Sequence, residues 1–431
     1  MAERTRSGAR ARTSPPAGSA PPVRKRPKNR KAQIATMAAE AFSERGYHGV
    51  SIEDIAKAVG ISGPALYRHF PNKYALFVQA VNQLADALDA ALSQFDDDTP
   101  DDGAAAILDK RLTATIGMTI DNRRTGGLYR WERRYLSDDD QAKVRGKMAV
   151  INRRLAQTLT ELRPGLTATD AALLATAQLS VIGSITTHRV PLATRRLQSL
   201  LLDACRSVAA TSLVPDEPAA APTERTGIAV ANKREVLLHE AVLLFDARGY
   251  HEVSIEEIGA AAEINASGVY RHFASKADLL AAAFHRAGDR VALAVSSALA
   301  DSSTPAQALE HLTEVYVELS FAQNALMSVY FAEIGNLPAA HRSDLRNIQR
   351  LNIEEWARLV GELRTDLTPV ECRILVHAAL NLVLDVGEMT RFRNSASDRR
   401  RTVDLMLAVL LGDAATRRDS EASAASTGTR T

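Results

Sequence analysis

Cysteine is nearly absent from this chain: 431 residues contain two, Cys205 and Cys372, far apart and without paired spacing. That excludes a disulfide framework and a cysteine-based zinc site, and it suits a reducing compartment. Long apolar runs are also missing, since no stretch approaches the roughly 20 residues of a membrane span. The N-terminus is rich in Arg, Pro and Ser and lacks the apolar centre of a secretion signal. A soluble, cytoplasmic protein without membrane partners is expected. Catalytic patterns are lacking too. There is no glycine loop for phosphate, no nucleophile elbow and no histidine pair at metal-binding spacing, so the expectation is no enzyme, no catalytic or metal site and no cofactor.

Charge is nearly balanced at +2 overall but unevenly placed. Residues 1–31 carry ten Lys or Arg against one acid, Glu3, so 1–29 reads as a disordered basic arm able to touch phosphate.

What the chain does contain is a repeat. Ser51 to Phe70 reads as two short helices around a turn. Ser51 with Asp54 is a capping-box start, Ile52, Ile55 and Val59 share a face, and Gly60 permits the turn. Ser62 caps a second helix with Pro64 in its first turn. Leu66 and Phe70 point inward, leaving Gly63, Ala65, Tyr67, Arg68 and His69 to a partner. Small residues at the helix start suit close entry into a major groove. Gly46-Tyr47-His48 returns as Gly249-Tyr250-His251, Tyr67-Arg68-His69-Phe70 as Tyr270-Arg271-His272-Phe273, and Lys73 as Lys276, each 203 residues later. Farther on, Glu161-Leu162-Arg163 returns as Glu362-Leu363-Arg364, and Tyr129 as Tyr330, 201 residues later. Two whole units are therefore expected.

The motif resembles the DNA-binding domain of the TetR (TetR/AcrR) family of bacterial regulators, with Gly-Tyr before the first short helix and Tyr-x-His-Phe then Lys after the second. The resemblance implies an all-α fold of two tandem units, each a three-helix helix-turn-helix domain followed by a helical ligand-binding and dimerisation domain. The divisions are then 1–29 basic arm, 30–76 first reading head, 77–212 first helical domain, 213–231 Pro/Ala linker, 232–279 second reading head, 280–412 second helical domain and 413–431 disordered tail. It also implies double-stranded DNA as partner, through Ser62, Gly63, Pro64, Ala65, Tyr67, His69 and Lys73 in one unit and Asn265, Ala266, Ser267, Gly268, Tyr270, His272 and Lys276 in the other.

A small, largely apolar effector is implied between the middle helices, with Met118, Leu128, Trp131, Tyr135 and Gln178, then Phe321, Met327, Tyr330, Trp356 and Asn381, as candidate lining. A plain core shows the same kind of stripe. The apolar stretches Ala171 to Ile185 and Leu197 to Val208 are expected to pack on Cys372 to Met389 and Val403 to Leu411, forming an intramolecular pseudo-dimer, with further homodimerisation open. The function implied is a ligand-responsive repressor acting on two half-sites. The alternative is a ligand-binding or protein-interaction module with degenerate motifs. Glu263, where the first copy has Gly60, favours that alternative, because a non-glycine residue at a left-handed turn costs about 1–2 kcal/mol.

Overall fold

The computed structural model describes residues 30–96, 103–128, 135–217 and 231–412. The expected disordered arm and tail, the acidic 97–102 segment, Trp131 and most of the linker lie outside these residues. Among the described residues there are helices and no strands. The first unit comprises α1 (Arg30–Arg45), α2 (Ile52–Val59), α3 (Gly63–Tyr67), α4 (Lys73–Ser93), α5 (Ala104–Asp121), α6 (Asp138–Leu162), α7 (Ala168–Gly183) and α8 (Thr194–Ala210). The second comprises α9 (Lys233–Arg248), α10 (Ile255–Ala261), α11 (Ala266–His272), α12 (Lys276–Ala300), α13 (Pro305–Ala322), α14 (Asn324–Glu333), α15 (Ala339–Leu363), α16 (Pro369–Met389) and α17 (Ala396–Leu411).

Helix starts follow their caps. Ser51 and Asp54 exchange side-chain and backbone bonds in a full capping box, as do Ser254 and Glu257. The Asn72 side chain accepts from the Ala75 N–H at 2.8 Å and so fixes where α4 begins. Each reading head has its own apolar core. In the first, Ile34, Ala38 and Phe42 of α1 close over Ile55, Leu66, Phe70 and Phe77; in the second, Leu237, Ala241 and Phe245 close over Ile258, Val269, Phe273 and Phe284.

The helical domains share one core. Residues of α7 and α8 and of α16 and α17 belong to a single buried cluster running through both units, and α7 packs directly on α16, and α8 on α17. The segment Ala168–Thr186 is long and apolar enough to cross a membrane by length and composition, contrary to the expectation that no stretch would be. Its burial against α16 gives that composition another cause.

The contacts across this core pair off as a twofold relation would require. Ser180 and Asn381, 201 residues apart, meet each other: Asn381 Nδ2 donates to Ser180 O at 3.1 Å and Oγ at 3.2 Å. His188 stacks on His377 at 4.2 Å between ring centroids. Their repeat counterparts, Met389 and Thr176, are also in contact, with Thr176 Oγ1 donating to Met389 Sδ at 3.1 Å. Asp170 takes Arg401, and its counterpart Glu371 takes Arg196. Burial opposes ionisation of Glu371, but Arg196 and the Thr368 donors outweigh it and hold that carboxyl below its usual range.

The first residues of the expected linker dock on the opposite unit. Val214 O accepts from Arg401 Nε at 2.9 Å, and the Glu217 N–H donates to Ser397 Oγ at 3.3 Å.

Candidate nucleic-acid interface and effector cavities

The turn of each reading head uses a left-handed residue. Gly60 sits at φ 72°, and Glu263 takes the same region at φ 56°. Glu263 thus preserves the turn at the cost of backbone strain, with its carboxylate out in solvent and 3.7 Å from Lys233 Nζ. The same corner is clamped alike in both copies. Arg30 Nη2 donates to Val59 O at 3.1 Å, and Lys233 Nζ, 203 residues later, to Ala262 O at 2.9 Å.

Beyond the turn, α3 and α11 with the residues that follow them bury Leu66 and Phe70, then Val269 and Phe273, and expose the triplets Tyr67-Arg68-His69 and Tyr270-Arg271-His272. Tyr67 and Tyr270 are about half exposed, at 49% and 54%, at equivalent places in the two copies. Each triplet sets a phenol, a guanidinium and an imidazole on one exposed surface, groups able to hydrogen-bond phosphate and base edges. Arg68 was expected to face a partner, but neither it nor Arg271 was among the contacts that the family resemblance implied, although both copies carry them. The repeated Tyr-Arg-His was the available signal.

Lys73 and Lys276 behave otherwise than expected of phosphate ligands. Lys73 Nζ donates to Val50 O at 2.9 Å and lies 4.3 Å above the Tyr47 ring. Lys276 Nζ donates to Tyr250 O and Val253 O, both at 2.7 Å, over the Tyr250 ring. Burial lowers the pKa of both. These ammonium groups tie the chain entering the second helix to the start of the long one. Lys73→Met should therefore lower the melting temperature, by about 1–2 kcal/mol of stability, and leave the salt dependence of DNA binding as it is. A salt slope smaller by about one would put the ammonium on the duplex instead.

The two heads touch. His48 and His251, repeat counterparts, lie 4.8 Å apart between ring centroids, and His48 Nε2 is 3.9 Å from Glu252 Oε1. Burial first, then His251 and Lys73, lowers the His48 pKa against a smaller opposite effect of Glu252. This contact was not foreseen from the sequence.

Each helical domain holds a cavity. The first, of about 450 Å³, lies among α4–α7 and is edged by Asp385, Glu388 and Met389 of the other unit. The second, of about 520 Å³, lies among α12–α16 and is edged by Thr187 of the first unit. Their walls correspond by the repeat: Leu88 with Val291, Thr115 with Tyr316, Gly126 with Met327, Met148 with Gln349, Thr176 with His377, and Ser180 with Asn381. The Ser180–Asn381 bond is thus a partition, one partner in each wall.

Of the expected lining, Met118, Met327, Tyr330 and Asn381 are in place. Five others are not. Leu128 is buried in the first reading head, and Tyr135 stacks on Tyr47 there at 5.6 Å. Gln178 donates to Cys205 O inside the core. Phe321 packs edge-on to Phe392 and Trp356 edge-on to Tyr316, both within the shared core. These residues obey helical spacing, but spacing selects the buried face of a helix without saying whether a neighbour fills the space beside it. Among the described residues no group of three His, Cys, Asp or Glu could hold a metal.

Comparison with known proteins matches residues 34–80 and 237–283, both reading heads, to the family described as bacterial regulatory proteins, tetR family. The chain is 35% identical over 65 residues to the HTH-type transcriptional activator FasR of Mycolicibacterium smegmatis, covering 15% of this chain and 30% of that protein. It is 41% identical over 58 residues to IcaR of Staphylococcus aureus, the negative transcriptional regulator of the biofilm operon icaADBC, covering 14% and 31%. The chain thus spans about a third of the length of the curated relatives it matches. A TetR-family regulator from Bordetella parapertussis is a similar solved structure, at 22% identity and a TM-score of 0.38, covering 41% of this chain and 95% of that one.

Proposed function

We propose that this chain, a TetR-family protein with two units in tandem, is a DNA-binding transcriptional regulator in which both reading heads of one covalent pseudo-dimer engage one operator. The observation that carries the reading is the pairing of repeat counterparts across a shared core, which joins two exposed Tyr-Arg-His surfaces into one body. The domain divisions and the DNA contacts given above belong to this proposal, with Lys73 and Lys276 as braces and Arg68 and Arg271 added. Gly63-Pro64-Ala65 faces one half-site and Ala266-Ser267-Gly268 the other, so the half-sites differ and the operator need not be a palindrome. Repression is the mode that needs least, since a body seated across a promoter blocks it without further contacts. A small effector in either cavity acts only through its different affinity for the DNA-competent and incompetent arrangements.

Light scattering of the free protein and of its complex with upstream DNA tests this. A 46.6 kDa species binding one duplex site is the expected result. A species of twice that mass, dissociating on dilution into chains that no longer bind, would show that the units pair between chains.

A further inference from the structure

We propose that the second-unit cavity binds a lipophilic monocation, and that its counterpart in the first unit does not. This rests on the reading that the cavities receive effectors, and it adds the ligand's chemistry. The two walls descend from one pattern but differ in charge and in aromatic content. Arg145 lines the first cavity; its repeat counterpart Arg346 is exposed and outside the second wall, acting only on the Tyr330 phenol from beside it, and the described wall residues include no lysine or arginine. Both walls carry two carboxylates, Asp385 and Glu388 in the first and Asp289 and Glu355 in the second, but only the first sets an arginine among them. Glu355 stands where the first unit has Arg154, which lies outside the first wall and pairs with Asp89 and Asp96.

Glu355 shares Arg358 with Glu362, leaving two carboxylates to one guanidinium there. Arg286, one turn before Asp289, pairs with Glu235 and feels the Asp289 carboxylate only more weakly. Aromatic rings complete the site. Phe284 and Tyr330 meet at 5.0 Å between centroids, and Tyr316 stands where the first wall has Thr115. The faces of such rings attract a cation and cover its apolar body. Asn352 Oδ1, buried and without a hydrogen-bond partner, adds an acceptor to this wall. His377 also lines it, and burial keeps that imidazole neutral with a pKa near 4, so it brings no positive charge.

The test uses the full chain and three probes: tetraphenylphosphonium, its isosteric anion tetraphenylborate, and the neutral fluorophore N-phenyl-1-naphthylamine. One phosphonium per chain should bind at least tenfold tighter than the borate. Asp289→Asn with Glu355→Gln, isosteric changes at accessible side chains, should weaken the phosphonium about three- to tenfold and leave the naphthylamine unaffected. Equal affinity for cation and anion, or no effect of the double variant, would overturn the cation assignment while the cavity stands as a ligand site. Two phosphonium ions bound with equal affinity would overturn the difference between the cavities. Failure of all three probes would remove the effector reading itself.

Discussion

Replacing Asn381 by aspartate should separate the two units, although the side chain hardly changes shape. Asn381 is 4% exposed and donates to both the carbonyl and the hydroxyl of Ser180 at the centre of the interface. The aspartate would set a carboxylate against that carbonyl, losing both donors and burying a charge. The expected loss is about 2–4 kcal/mol, moderated by water reaching the position from the second cavity. Asn381→Ser restores the residue that the first unit carries at the same place and should cost much less, because one hydroxyl can donate across the axis to another. Without a fixed interface the heads are joined only by the linker and by the exposed His48–His251 contact. Their spacing is then no longer set, and operator affinity should fall at least tenfold as binding becomes two loosely coupled events. Urea unfolding and gel shifts on both variants check this. Equal behaviour of the aspartate and serine variants would mean that the polar pair at the axis contributes nothing.

The interface itself was legible in the sequence, because a helix such as Ala171 to Ile185 has more apolar surface than one neighbour can cover. The reading heads were legible for another reason. Capping residues, Gly60 and Pro64 each act within a few positions, and the second copy repeats them. Residues whose role depends on the space between helices were not legible. Trp356 and Gln178 share the spacing of Met118 and Asn381, yet the first two fill the core and the last two border a cavity. Lys73 illustrates a related limit. Its position at the start of a helix next to the reading surface is compatible with phosphate binding, and only the carbonyl of Val50 and the ring of Tyr47 show the ammonium committed inward. Glu263, where the first copy has Gly60, adopts a positive φ, so the second turn keeps its geometry under backbone strain. The contact of His48 with His251 depends on how two separately folded heads are brought together, which no local pattern encodes.

Acidification should loosen the molecule well above the range in which its carboxylates titrate. His188 and His377 stack inside the interface, where burial pushes their pKa values down to about 2 and about 4. Each other's proximity, for His188, and the Arg123 guanidinium, for both, act in the same direction; Arg189 adds to it at His188. His188 Nδ1 already accepts from the Val190 N–H at 3.2 Å and lies 3.3 Å from Arg123 Nη2, so a proton there would displace two donors. The unfolded chain holds both imidazoles near the ordinary value of about 6.5. Below that pH the unfolded state binds more protons than the folded one, so stability is complete above about 6.5 and declines as pH falls toward the folded values. Between pH 7.5 and pH 5 the loss should be about 2–4 kcal/mol. The repeat supplies the control. The twofold-related place holds Met389 and Thr176, which do not titrate in this range, so His188→Met with His377→Thr writes one half of the interface onto the other. That variant should be as stable as the parent at pH 7.5 to within about 1–2 kcal/mol and should lose most of the slope between pH 6.5 and 5 in urea unfolding. An unchanged slope would assign the acid sensitivity to groups outside the interface, with His48 between the reading heads the next residue to replace.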